Sequence, residues 1–140
     1  MTHCPERVWV ALGSNLGDRA ANLAAARAAL AALAGTRLIA ESAVEETGPL
    51  GGADQPAYLN QMVLLESTLE PRPLMEALQA IELKMGRERH ERWASRTLDL
   101  DIVLFGTRQV TEPDLTIPHP GLASRDFWQR ELAELQADER

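Results

Sequence analysis

Apolar and polar positions change period several times along the chain, and each change marks an element. Val8-Trp9-Val10-Ala11-Leu12 is a short run rich in β-formers, closed by the turn-forming cluster Gly13-Ser14-Asn15-Leu16-Gly17-Asp18, which also supplies a helix cap. From Asn22 to Ala34, Leu23, Ala26, Leu30 and Leu33 recur at helical spacing, and Gly35 stands where a helix stop belongs. Thr36 to Glu46 returns to alternation, with Leu38, Ala40, Ser42 and Val44 against charged or small neighbours. Thr47 to Pro56 is a Gly/Pro-rich loop, longer than a tight hairpin needs, and is either a functional flap or slack. Tyr58 to Leu69 predicts the next strand, with Tyr58, Asn60, Met62 and Leu64 on one face. Pro71 and Pro73 pre-set a helix that Leu74, Leu78, Ile81, Glu82 and Met85 carry to Gly86. Asp99 to Phe105 is a further strand, with Asp99 and Asp101 on one face and Leu100, Ile102 and Leu104 on the other.

The order β-α-β-β-α-β predicts an α+β domain with a ferredoxin-like βαββαβ core: an antiparallel sheet with helices on one face and the other face free for a ligand. After Gly106, Thr116-Ile117-Pro118-His119-Pro120 is an extended, proline-stiffened passage, and Asp126 to Asp138 is a polar helix or a frayed tail. No linker, repeat or low-complexity segment divides the chain, so residues 1–140 are expected to form one domain with a short C-terminal extension.

Composition narrows the function classes. The hydrophobic share of 45% and charged share of 25% suit a soluble globular domain, and no apolar run approaches the ~20 residues of a membrane span. The first residues have no apolar signal region, so the cytoplasm is the expected compartment and no membrane partner is expected. The only cysteine is Cys4, which excludes a disulfide framework and a cysteine-based zinc site. A net charge of −7 argues against nucleic acid as a partner but not against a small phosphorylated ligand. Lys84 is the sole lysine and is followed by Met85-Gly86, so no P-loop of the G-x-x-x-x-G-K-[ST] type exists; phosphate must be met by arginine, histidine, backbone amides or metal.

The densest chemistry is the arginine-rich segment Arg87-Glu88-Arg89-His90-Glu91-Arg92-Trp93-Ala94-Ser95-Arg96 feeding into Asp99-Leu100-Asp101. Asp-x-Asp by itself is also what the wet face of a half-buried sheet carries. Beside four arginines in an acidic chain, it reads as a pair of carboxylates for Mg²⁺ at a polyphosphate. Trp93 is either a core anchor or an aromatic wall beside a base or ribose.

Taken in order, Gly13-Ser14-Asn15-Leu16-Gly17, Gln55-Pro56-x-Tyr58-Leu59-Asn60, Gly86-Arg87, Arg92-Trp93-x-x-Arg96-Thr97-Leu98-Asp99-Leu100-Asp101 and Pro118-His119 closely resemble the 6-hydroxymethyl-7,8-dihydropterin pyrophosphokinase family over about Trp9 to Phe127. The resemblance implies an enzyme of folate biosynthesis that transfers pyrophosphate from ATP to the pterin hydroxymethyl group, releases AMP and uses two Mg²⁺ ions. It implies that Asp99 and Asp101 bind both metals, and that Arg87 and Arg96 meet the triphosphate. Arg89 would lie on a mobile loop that closes over ATP, with Trp93 ordering the closed loop, His119 on phosphate, and Gln79 and Ile102 on the nucleotide. Tyr58 and Phe127 would sandwich the pterin, and Asn60 would read its hydrogen-bonding edge with backbone groups near Thr47 and Leu50. Glu82 would orient neighbouring side chains from beneath.

Without the resemblance, Tyr58 and Phe127 read as core aromatics, His119 as a side chain satisfying the backbone, and Glu82 as charge balance for Lys84 and Arg87. The chain departs from the family pattern at His90, in a loop one residue shorter, at Asp114 and Pro120, and after Phe127, where Trp128-Gln129-Arg130-Glu131-Leu132-Ala133-Glu134-Leu135 is charged and the domain is expected to be shortened. That last departure motivates an alternative: a non-catalytic pterin- or nucleotide-binding regulatory module. An RNA-recognition module shares the chain order but needs a basic sheet face with exposed aromatics.

Overall fold

The computed structural model describes residues 4–48, 57–86 and 98–138. Strands β1 (Glu6–Ser14), β2 (Thr36–Glu41), β3 (Glu45–Thr47), β4 (Tyr58–Ser67) and β5 (Asp99–Phe105) form one antiparallel sheet in the order β2-β4-β1-β5, with β3 also paired to β4. Helices α1 (Arg19–Ala31) and α2 (Pro71–Gly86) follow β1 and β4. After β5 come a hairpin of β6 (Val110–Glu112) and β7 (Leu115–Ile117), a 3₁₀ turn at Pro120–Ala123, and α3 (Asp126–Asp138). The fold is thus α+β with an antiparallel sheet, as the periodicities predict, and the described residues hold three α-helices.

The central strand β1 is buried on both faces, and the two cores it separates explain its continuous apolar run. Val8, Val10 and Leu12 join Val63 and Leu65 of β4 against Leu23, Ala26 and Leu30 of α1 and Leu74 and Leu78 of α2. The alanine-rich stretch is a helix because Asp18 caps it, its carboxylate accepting the Ala21 N–H at 3.1 Å, and Gly35 turns the chain with φ of +69°.

On the opposite face, Trp9, Ala11, Met62, Leu64 and Val103 pack against Phe127, Trp128 and Leu135 of α3. Two expectations change here. The segment 126–138 is neither a frayed tail nor a wholly polar helix, and the face expected to be free for ligand is partly roofed by it. Only α1 and α2 keep to one side.

The strand expected over 36–46 is split in two. Ser42 sits at the break, exchanging backbone bonds with Met62 through its N–H (2.8 Å) and its Oγ (3.0 Å), while Gln61 Nε2 donates to the Ser42 carbonyl at 2.7 Å. Alternation in β5 also fails where the register with β1 shifts between Trp9 and Val10, so that Val103 is an extra residue and Leu104 packs toward the α3 core instead of joining Leu100 and Ile102. The bulge lies beyond Asp101, so Asp99 and Asp101 still share a face. The proline-stiffened passage is preceded by a hairpin that its composition does not announce, anchored by buried Leu115 and Ile117.

β5 is an edge strand, and its outward backbone groups are met by side chain and loop. Glu82 Oε2 on α2 accepts the Leu100 N–H at 2.6 Å, and the Val103 carbonyl accepts the His119 N–H at 3.0 Å.

Candidate functional site

The α3 face of the sheet holds a cleft of about 170 Å³ at the ends of β1, β3, β4 and β5. Its floor opens at Gly13, which pairs with Asn60 on one side and Asp99 on the other. A Cβ at Gly13 would stand 3.3 Å from Asn60 Oδ1 and 3.5 Å from the Tyr58 ring, so any larger residue would fill the space between them. Thr47 and Tyr58 are cross-strand partners, and the adjacent Asn60, 6% exposed, donates from Nδ2 to Thr47 Oγ1 at 2.6 Å. That bond fixes the amide plane and leaves the carbonyl end toward Gly13. Phe127 and Trp128 enter from the first turn of α3, and Asp99 and Asp101 complete the rim from β5. The cleft therefore combines aromatic surface, a held amide edge and two carboxylates, which suits a flat polar heterocycle.

A second cleft of about 330 Å³ lies between α2, β5 and the β6–β7 hairpin. Gln79 and Glu82 line it from α2, Asp101 and Ile102 from β5, Asp114 from the hairpin tip and His119 from the loop that follows. Asp101 lines both clefts. Its neighbour His119 is oriented by three contacts. The ring Nδ1 accepts the Gly121 N–H at 2.9 Å, which leaves the proton on Nε2; Nε2 faces Asp101 Oδ1 at 3.6 Å; and the ring meets Trp128 edge-on at 4.9 Å. Arg125 stacks on the other end of this series, its guanidinium 4.4 Å from the Trp128 ring centre, and it lines the first cleft.

Of the residues singled out from sequence, Thr47, Tyr58, Asn60, Asp99, Asp101 and Phe127 meet in the first cleft, and Gln79, Glu82, Asp101, Ile102 and His119 in the second. Leu50, Arg87, Arg89, Trp93 and Arg96 lie outside the described residues. Glu82, expected to orient neighbouring side chains, binds the backbone of the strand between the two aspartates. Sequence reasoning missed Arg125, Trp128 and the hairpin tip. The available signal was the spacing Arg125-x-x-Trp128 beside Phe127, which brings a cation onto an aromatic at the start of a helix.

Among the described residues no group of three or more His, Cys, Asp or Glu side chains is arranged to hold a metal. Asp99 and Asp101 provide a half-buried two-carboxylate donor set, which fits a hard cation whose remaining ligands are phosphate oxygens and water. It does not suit a metal that needs an all-protein cage. No helix of the described residues is long and apolar enough to cross a membrane.

The model of a family described as 7,8-dihydro-6-hydroxymethylpterin-pyrophosphokinase (HPPK) matches residues 9–137. A Pseudomonas aeruginosa protein named 2-amino-4-hydroxy-6-hydroxymethyldihydropteridine pyrophosphokinase is 47% identical over 135 residues, covering 96% of this chain and 83% of that protein. Proteins of the same name from Haemophilus influenzae and Bacillus subtilis are 42% and 41% identical, covering 93% and 91% of this chain and 81% and 76% of theirs.

Proposed function

The chain belongs to the 7,8-dihydro-6-hydroxymethylpterin-pyrophosphokinase family, and from that premise we propose that the two clefts take the two substrates of a pyrophosphoryl transfer in folate biosynthesis. The enzyme transfers pyrophosphate to 6-hydroxymethyl-7,8-dihydropterin; the donor is ATP, and AMP is the second product. The observation that carries this reading is the shared wall: Asp101 faces an aromatic and amide cleft on one side and a larger polar cleft on the other. A transfer reaction needs its reacting atoms at such a boundary.

In the first cleft, Tyr58 and Phe127 take the faces of the pterin and Asn60, braced by Thr47, takes its edge, with Leu50 adding a backbone contact. In the second, Gln79 and Ile102 border the nucleotide, and the Nε2–H of His119 donates to a phosphate oxygen. Asp99 and Asp101 would hold the two Mg²⁺ ions, whose contribution there would be to neutralise phosphate charge. Glu82 fixes the backbone between these aspartates, and so fixes where they point. By the resemblance, Arg87 and Arg96 would meet the triphosphate and the charge that develops on AMP, and Arg89 and Trp93 would act in excluding water from ATP. As the pterin hydroxymethyl oxygen bonds to the β-phosphorus, the bond from that phosphorus to the AMP oxygen breaks and the hydroxyl proton is released. The strand order β2-β4-β1-β5, with α1 and α2 on one face, supports a ferredoxin-like reading of the scaffold. The binding-module alternative is not favoured, because the relatives are named as pyrophosphokinases.

The test is chromatography of nucleotide products after mixing the protein with Mg²⁺, ATP and the pterin, with a no-pterin control. AMP formed in step with pterin diphosphate is expected. Pterin binding without AMP would overturn the reading.

A further inference from the structure

The walls of the second cleft come from distant parts of the chain: α2 on one side and the β6–β7 hairpin on the other. One side chain spans them. Arg72, in the first turn of α2 and on the same side as Met75 and Gln79, reaches the hairpin with a two-pronged contact to Asp114, from Nη1 to Oδ2 at 3.1 Å and from Nη2 to Oδ1 at 2.9 Å. Its Nη2 also donates to Glu112. Asp114 lines the cleft, whereas Arg72 does not, so Arg72 acts on the cleft only through the hairpin.

The charge balance matters more than the bond count. Two hairpin carboxylates face one guanidinium, and one of them, Asp114, lines a cleft that, on the reading above, receives a polyanion. The hydrogen-bonded Arg72 guanidinium lowers the pKa of Asp114, so the acid is neutralised by its partner and not by a proton. Without the guanidinium, both carboxylates would turn their field on the incoming phosphates. The hairpin itself would remain anchored, since Leu115 and Ile117 are 7% and 2% exposed within the main core.

We propose that Arg72 is a positioning residue for the nucleotide: it ties the two walls of the second cleft together and masks the carboxylates of the cleft-lining Asp114 and of Glu112 beside it in the hairpin. This rests on the assignment of ATP to that cleft, and the experiment separates the two. Steady-state AMP formation is measured at low and high salt for the unmodified protein, for Arg72→Met, and for Arg72→Met combined with Glu112→Gln and Asp114→Asn; pterin affinity is measured by calorimetry for each.

Arg72→Met is expected to raise the KM for ATP roughly fivefold at low salt and less than about twofold at high salt, with kcat and pterin affinity little changed. The triple variant is expected to return KM close to its starting value, because the unmasked carboxylates are gone. A raised KM that the triple variant fails to restore would overturn the masking role, since a loosened hairpin or a lost direct phosphate contact is not repaired by neutral side chains. An unchanged KM in Arg72→Met would overturn the proposal while leaving the nucleotide assignment standing. No AMP from the unmodified protein would overturn both.

Discussion

Glu131 is a carboxylic acid on the buried side of α3, 2% exposed, with neither oxygen in ordinary hydrogen-bond geometry to a described group. Burial pushes its pKa from 4.5 to about 9; the nearby Glu45 carboxylate adds to the rise by favouring the protonated form and repelling the ionised one, and Arg130 opposes it. Since the folded value lies above the unfolded one, the folded state binds this proton more tightly. The associated stability is fully present below about 4.5 and is lost as pH rises through about 9. Each pH unit inside that window costs up to about 1.4 kcal/mol, so raising the pH from about 5 to about 7.5 at constant temperature removes about 3 kcal/mol. Glu131→Gln keeps the shape of the neutral acid but has no proton to lose. Urea denaturation followed by far-UV circular dichroism across this range should give the variant a flatter profile and, near pH 7.5, an advantage of up to about 3 kcal/mol over the unmodified protein. Because every other titrating group is common to both proteins, the difference between their profiles isolates Glu131. Parallel profiles would refute the buried, protonated state.

Other outcomes follow from the site. Asp101→Ala, which removes the side chain common to both clefts, should nearly abolish AMP formation while pterin binding by calorimetry is largely kept; comparable metal-dependent turnover would reject the metal assignment. Gly13→Val should place methyl groups against Asn60 and the Tyr58 ring and weaken pterin affinity at least about tenfold, the loss of one well-formed subsite contact being worth about 1.4 kcal/mol; unchanged affinity would remove the first cleft as the pterin site. Glu82→Leu leaves the Leu100 N–H without its acceptor and should cost about 1–3 kcal/mol in a denaturant titration as well as turnover; normal stability would mean that water or another group replaces the carboxylate at no cost.

The elements that sequence periodicity located are those whose side chains see one uniform environment. α1 and α2 each turn one apolar stripe to the sheet, and β4 carries an uninterrupted alternation that correctly put Tyr58 and Asn60 on one side. Legibility failed where local pattern and tertiary role diverge. Glu131 occupies a buried position of α3 and breaks the stripe formed by Phe127, Trp128 and Leu135, so the segment reads as solvent-facing although it roofs the sheet. The bulge at Val103 depends on register with β1, which no residue of β5 encodes by itself. The hairpin tip at Asp114 is polar like any turn, and its partner Arg72 is 42 residues away in sequence. The candidate site was legible as an inventory of chemistry and as an ordered set of motifs. Its division into two clefts was not, because that depends on which face of β5 each neighbour approaches.

The contacts on the outer edge of β5 carry a second consequence. An unpaired strand edge is a template for a second chain, and natural sheets blunt such edges with charge, proline or a covering segment. Here the Glu82 carboxylate occupies the Leu100 N–H, and the backbone of His119, set between two prolines, occupies the Val103 carbonyl. Both groups also border the second cleft, so the wall that receives one ligand is the cap that refuses another strand. Changes made there to alter nucleotide affinity will therefore be read out in solubility as well, with self-association through β5 as the form the failure takes.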